Sequence, residues 1–159
     1  RIAGYDCEAV VLTPKDELYF PVENVLSFLS AQNTESAPQR VIGRGWKPVA
    51  RACLSYVGFS ETDIPLQHGA KRAMKSDLVL KHHVAKVKKG QLAIPNPKTR
   101  PSLPLPWSMK FSMTLIDNAD VDAGTLRKLF EGGGRAIGFG TYRGLYGKFR
   151  VTSWEVEKS

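Results

Sequence analysis

Trp107-Ser-Met-Lys-Phe-Ser-Met-Thr-Leu115 alternates without a break, with Trp107, Met109, Phe111, Met113 and Leu115 on one side and Ser108, Lys110, Ser112 and Thr114 on the other. A period of two marks a strand with one face buried. Towards the C-terminus, Asp120 or Asp122 is placed to cap a helix over 123–131, with Leu126, Leu129 and Phe130 turned inward. Gly132-Gly-Gly134 is expected to end that helix and open a Gly-rich loop over 132–148. Lys148 to Val156 then alternates again and reads as a closing strand.

Towards the N-terminus, residues 95–106 hold five prolines, which excludes a helix or a central strand. That segment reads as an exposed, extended arm carrying Lys98 and Arg100. Leu78 to Val87 reads as a strand, Lys88-Lys-Gly90 as a turn, and Gln91 to Ile94 as a return. Glu61 to Ala70 reads as a loop, and Trp46 to Tyr56 as a short helix opened by Pro48. Pro21 opens a helix in which Val22, Val25, Leu26 and Leu29 mark one buried face, with Phe28 alongside, fading by 32–36. Glu8 to Leu12 and Glu17 to Phe20 form a hairpin around Thr13-Pro-Lys-Asp16. This order implies an α+β fold: a ferredoxin-like (RRM-like) antiparallel sheet with helices on one face, plus a basic insertion over about 40–100 and the Pro-rich arm. At 159 residues the length suits a single domain, 1–159; no strand is read ahead of the first hairpin, which leaves room for the fold's first strand upstream of Arg1.

Net charge is +8, unevenly spread: −4 over residues 1–39, +10 over 40–100 and +2 over 101–159. A concentrated basic segment is the electrostatic footprint of a phosphate-bearing partner. No apolar run approaches the ~20 residues that span a bilayer, so no membrane partner is expected. Cys7 and Cys53 stand alone, without metal-ligand spacing or a disulfide framework, which points to a reducing, cytoplasmic setting.

The chemistry concentrates in Arg135-Ala-Ile-Gly-Phe-Gly-Thr-Tyr-Arg-Gly-Leu-Tyr-Gly-Lys-Phe-Arg-Val151. Glycines let a backbone lie close to a ligand, and consecutive free N–H groups form an anion nest. The expected roles are phosphate contacts from Arg135, Arg143, Lys148 and Arg150, close approach at Gly138, Gly140 and Gly144, and base stacking on Tyr142 and Tyr146. Arg40, Arg44, Lys47 and Arg51 join them as phosphate contacts, with Trp46 as a stacking ring between cations. The run follows a helix and precedes a strand, the reverse of a dinucleotide fingerprint, and it has no P-loop Lys-Ser/Thr pair. No cofactor or metal is expected.

Gly4-Tyr-Asp-Cys-Glu-Ala-Val-Val-Leu-Thr-Pro-Lys-Asp-Glu-Leu-Tyr-Phe-Pro-Val-Glu-Asn-Val-Leu-Ser-Phe-Leu29 resembles the start of CRISPR-associated RAMP backbone subunits. Ile137 to Val151 is similar to the Gly-rich signature of the same superfamily. The resemblance implies non-enzymatic binding of single-stranded nucleic acid, RNA ahead of DNA. It also implies assembly along the strand as a homo-oligomer or as a subunit of a ribonucleoprotein complex. Two other expectations follow from it. One is an endoribonuclease, using Asp6 with a metal or using His82 or His83 without one. The other is a phage-encoded interaction protein that joins or mimics such an assembly. His82 and His83 are adjacent, so on a strand they point to opposite faces and cannot share a metal.

Overall fold

The computed structural model describes residues 11–32, 35–140 and 147–158. The fold is α+β, with antiparallel sheets and, among the described residues, four α-helices. The chain forms two compact units and passes between them at Phe20–Pro21, Asp63–Ile64 and Lys110–Phe111.

The first unit comprises the chain up to Phe20 together with Ile64–Lys110. Its hairpin pairs β1 (Val11–Leu12) with β2 (Leu18–Pro21), around the turn the Thr13-to-Asp16 chemistry predicts. The turn closes through the Asp16 N–H to the Thr13 carbonyl at 3.0 Å. The next strand in the sheet is β4 (Asp63–His68), which pairs with both β5 (Lys71–Arg72) and β8 (Trp107–Met109). The loop expected over 61–70 is therefore a central strand. Ile64 and Leu66 alternate inward and are buried, and the period of two was there to be read behind Pro65. Arg72 ties the sheet together, donating from Nη2 to the Leu18 carbonyl at 3.0 Å.

The same unit contains a long two-stranded ribbon, β6 (Val79–Lys89) and β7 (Leu92–Ser102), paired over their whole length. The turn is Gly90-Gln91, with Gly90 at φ +63°, a conformation that needs no side chain at its first position. The Pro-rich arm is thus half of a ladder, not a free extension. Pro95, Pro97 and Pro101 are all odd-numbered, so they share the positions whose N–H would point away from β6. A two-stranded ribbon has only edge strands, and an edge tolerates proline there.

The second unit comprises Pro21–Asp63 and Phe111–Ser159. Helix α1 (Val22–Ser30) buries Val25 and Leu29 as its spacing predicts and Phe28 beside them, while Val22 and Leu26 are half-buried. A short helix that the sequence pattern did not reveal, α2 (Ala37–Val41), follows; the Gln39 side chain accepts the Ser36 N–H at 2.7 Å. Helix α3 (Trp46–Tyr56) starts two residues before Pro48 and runs into β3 (Val57–Phe59), which pairs with β9 (Met113–Leu115). The alternating Trp107–Leu115 stretch keeps its two faces but is divided between β8 and β9, in different units, with Lys110–Ser112 outside both strands.

Helix α4 (Ala123–Ala136) is capped by Asp122, whose Oδ1 accepts the Thr125 N–H at 2.6 Å. It does not stop at Gly132. Glycine inside a helix costs about 1 kcal/mol relative to alanine, and packing explains three in a row. A Cβ on Gly132 would lie 2.9 Å from Val41 Cγ2, and one on Gly133 2.5 Å from Phe28 Cζ and 2.8 Å from Ala37 Cβ. One on Gly134 would lie 2.7 Å from the Phe149 carbonyl oxygen. Phe28 is the hub of this core, its ring centroid 5.5 Å from Phe130, 4.9 Å from Phe139 and 5.5 Å from Phe149. The closing strand expected over Lys148 to Val156 is absent among the described residues: burial alternates only from Gly147 to Thr152, Trp154 falls out of that period, and the segment joins no sheet. Phe149 instead donates its N–H to Gly134 at 3.0 Å, and Trp154 rests 5.9 Å from Phe130.

Candidate nucleic-acid interface

The cations expected to contact phosphate that lie among the described residues, Arg40, Arg44, Lys47, Arg51, Arg135, Lys148 and Arg150, all belong to the second unit, while Lys98 and Arg100 of the Pro-rich arm belong to the first. All seven are exposed. Tyr142, Arg143, Gly144 and Tyr146 lie outside the described residues.

Three chain segments bearing these cations meet on the glycine stretch of α4. Helix α2 delivers Arg40 beside Val41, which sits over Gly132. The C-terminal segment delivers Lys148 and Arg150 on either side of Phe149, which sits over Gly134. Arg135 follows directly on α4 itself. Arg40 pairs with Glu35 at 3.4 Å, with both side chains about half exposed. An exposed pair is worth about 0–1 kcal/mol, so a phosphate can displace the carboxylate cheaply.

Arg44 stands between Gly43 and Gly45, both at positive φ, and Gly45 is the residue before the first turn of α3. Among the described residues no side chain caps that helix start, and its first turn holds no acid. Lys47 is exposed on the same turn and Trp46 is half-buried. In that first turn the Trp46 N–H is donated to the Gly43 carbonyl at 3.3 Å and Pro48 has no N–H, so what the helix start offers an anion is its partial positive charge and the Lys47 amide. Further along α3, Arg51 and Tyr56 line a shallow depression of about 280 Å³ with Pro48, Ala52, Ser55 and Asp120. A guanidinium and a phenol ring share that wall, while the Asp120 carboxylate opposes an anion.

The base of the Gly-rich loop is packed, not open. Gly138 and Phe139 are buried, and Gly140 is half-buried. Phe139 donates its N–H to the Gly147 carbonyl at 3.0 Å, and its ring stacks on Phe149 with centroids 4.3 Å apart. A Cβ on Gly138 would run into the Gly147 carbonyl, and one on Gly147 into the Phe139 carbonyl oxygen. Gly138 therefore lets the two ends of the loop close on each other; it does not line a cradle for a ligand strand.

The groups considered for catalysis are dispersed. Asp6 lies outside the described residues. His82 is exposed on β6, with Nδ1 2.8 Å from Thr99 Oγ1, and His83 is the next residue of that strand. Among the described residues no group of three or more His, Cys, Asp or Glu could hold a metal ion. Burial pushes the Cys53 thiol up to about 11, so it stays protonated and inert as a nucleophile. Among the described residues no helix is long and apolar enough to cross a membrane. Comparison with protein families, with curated proteins and with solved structures found no match for this chain.

Proposed function

We propose that this protein binds single-stranded nucleic acid, RNA ahead of DNA, without catalysing its cleavage. The proposal includes a RAMP-like, ferredoxin-like core and assembly of copies along the strand, both drawn from the resemblance of Gly4–Leu29 and Ile137–Val151. The observation that carries the binding reading is the start of α3. There an uncapped helix N-terminus, Arg44, Lys47 and Trp46 offer partial charge, full charge and a ring within four residues. The exposed Arg40, Arg135, Lys148 and Arg150, all anchored on the glycine stretch of α4, extend the basic surface within the same unit.

Binding of a labelled single-stranded oligonucleotide, titrated against salt, tests this. Each phosphate contact contributes about 0.7 to the slope of log K against log salt for a single strand. The variant R44Q/K47Q is expected to lower that slope by about 1.4 and to weaken binding by at least about tenfold in low salt. A flat slope for the unmodified protein, or an unchanged slope for the variant, refutes the reading. Incubation with RNA, with and without magnesium, addresses the endoribonuclease alternative: cleavage lost in Asp6→Ala would replace the proposal.

A further inference from the structure

The β6–β7 ribbon is a second basic surface, built of residues the α3 site does not use. Between Val79 and Ser102 it has six cations (Lys81, Lys86, Lys88, Lys89, Lys98 and Arg100) and no carboxylate. Its 11-residue strands, at about 3.3 Å per residue, make it roughly 35 Å long. The register sets Lys81 across from Arg100 and His83 across from Lys98. Lys81 and His82, successive residues of one strand, are both exposed, while at the base of the ribbon their partners Arg100 and Thr99 are half-buried. Val84 is 66% exposed and Leu92 72%. Among the described residues no third strand joins it, and a lone two-stranded ribbon is marginal in water.

Two observations select the partner. Pro95 and Pro97, both exposed, occupy positions of β7 whose N–H would face away from β6, which removes donors from that edge and discourages a further strand from a peptide or a second copy. No Phe, Tyr or Trp occurs between 79 and 102, so the bases of a single strand find no ring to stack on. A regular phosphate backbone satisfies the charge, and the major groove of a B-form duplex, about 12 Å wide, admits two antiparallel strands. We propose that the β6–β7 ribbon is an arm for duplex DNA, lying in the major groove with its cations on the flanking phosphates. The arm involves different residues, in a different unit, from the single-strand reading and does not depend on it.

The test uses the full chain, a labelled DNA duplex, the RNA duplex of the same sequence and a labelled single strand. In K81Q/K86Q/K88Q/K89Q, duplex DNA binding is expected to weaken by about 100-fold or more at low salt, and its salt slope to fall by about 3–4, at about 0.9 per phosphate contact. Single-strand binding should stay within about twofold, and K81R/K86R/K88R/K89R should restore the duplex affinity, which separates charge from folding. The RNA duplex should bind more weakly, because its major groove is deep and narrow. Duplex binding that is absent, indifferent to salt, or unchanged in the glutamine variant overturns the proposal. Equal binding of the two duplexes overturns the groove assignment. If the glutamine variant instead loses only its binding to anionic phospholipid vesicles, the arm belongs to a lipid surface. Duplex binding that persists while single-strand binding is absent leaves this inference standing and refutes the α3 site alone.

Discussion

Helix α4 and the β6–β7 ribbon both depend on glycine, to opposite ends. In α4, Gly132, Gly133 and Gly134 serve contact: each leaves out a Cβ so that Val41, Phe28 or Phe149 can sit against the backbone. In the ribbon, Gly90 serves the turn alone, and a Cβ there would meet nothing within 4 Å. Charge follows the same division. Around α4 the exposed cations sit on segments locked over a core of four phenylalanine rings, Phe28, Phe130, Phe139 and Phe149. On the ribbon the cations sit on a ladder whose apolar side chains, Val84 and Leu92, are themselves in water. A charge on a packed scaffold presents a preformed site. One on a solvated ribbon is ordered by what it binds.

The contrast predicts a steep gradient of mutational cost, measurable by denaturant unfolding. Phe28→Ala, at a position with no exposure and three ring neighbours, should cost about 3–5 kcal/mol; a cost below about 1 kcal/mol would mean that the ring cluster does not hold this unit together. Gly147→Ala, at φ +77° with the Phe139 carbonyl oxygen in the way, should cost about 2–4 kcal/mol from backbone strain and overpacking combined. Gly132→Ala should fall within about 1 kcal/mol of neutral. Its Cβ meets only the end of Val41, a side chain 37% exposed and free to shift, while the helix gains from losing a glycine. Leu92→Ser on the ribbon should change stability by less than about 0.5 kcal/mol, and a larger loss would show that the ribbon is covered in the free protein.

The smallest effect concerns pH. The Thr125 N–H hydrogen bond holds the Asp122 carboxyl below its usual range. A depressed folded value means that the stabilisation is present above the unfolded value, about 4, and is lost as pH falls through the folded one. Asp122→Asn caps a helix comparably at neutral pH. It should lose less stability than the native chain between pH 4 and pH 2, which paired unfolding curves would detect.

Local patterns were legible wherever one face of an element was decided by its own residues. Val25, Phe28 and Leu29 in α1, Leu126, Leu129 and Phe130 in α4, and the alternation from Trp107 to Leu115 all point where their spacing says. Two readings failed on proline. Pro65 hid the central strand β4, and the prolines after Ile94 hid β7, because the damage a proline does depends on whether its N–H faces a neighbour. That neighbour is chosen by the fold. For the interface, the sequence identified the cations and rings, and the described cations are exposed in one unit. It did not show that Gly138 would be buried against Gly147.

By itself, then, the sequence determined the α+β character, the faces of its clearest helices and strands, and the crowding of positive charge into the middle of the chain. These depend on period and composition, which are properties of neighbours in sequence. Only the tertiary structure decided that Gly132 to Gly134 continue a helix, that one alternating stretch is shared by two units, and that a Pro-rich arm is half of a ladder. Each of those turns on whether a Cβ or an N–H meets another part of the chain, and that is settled by residues far away in sequence.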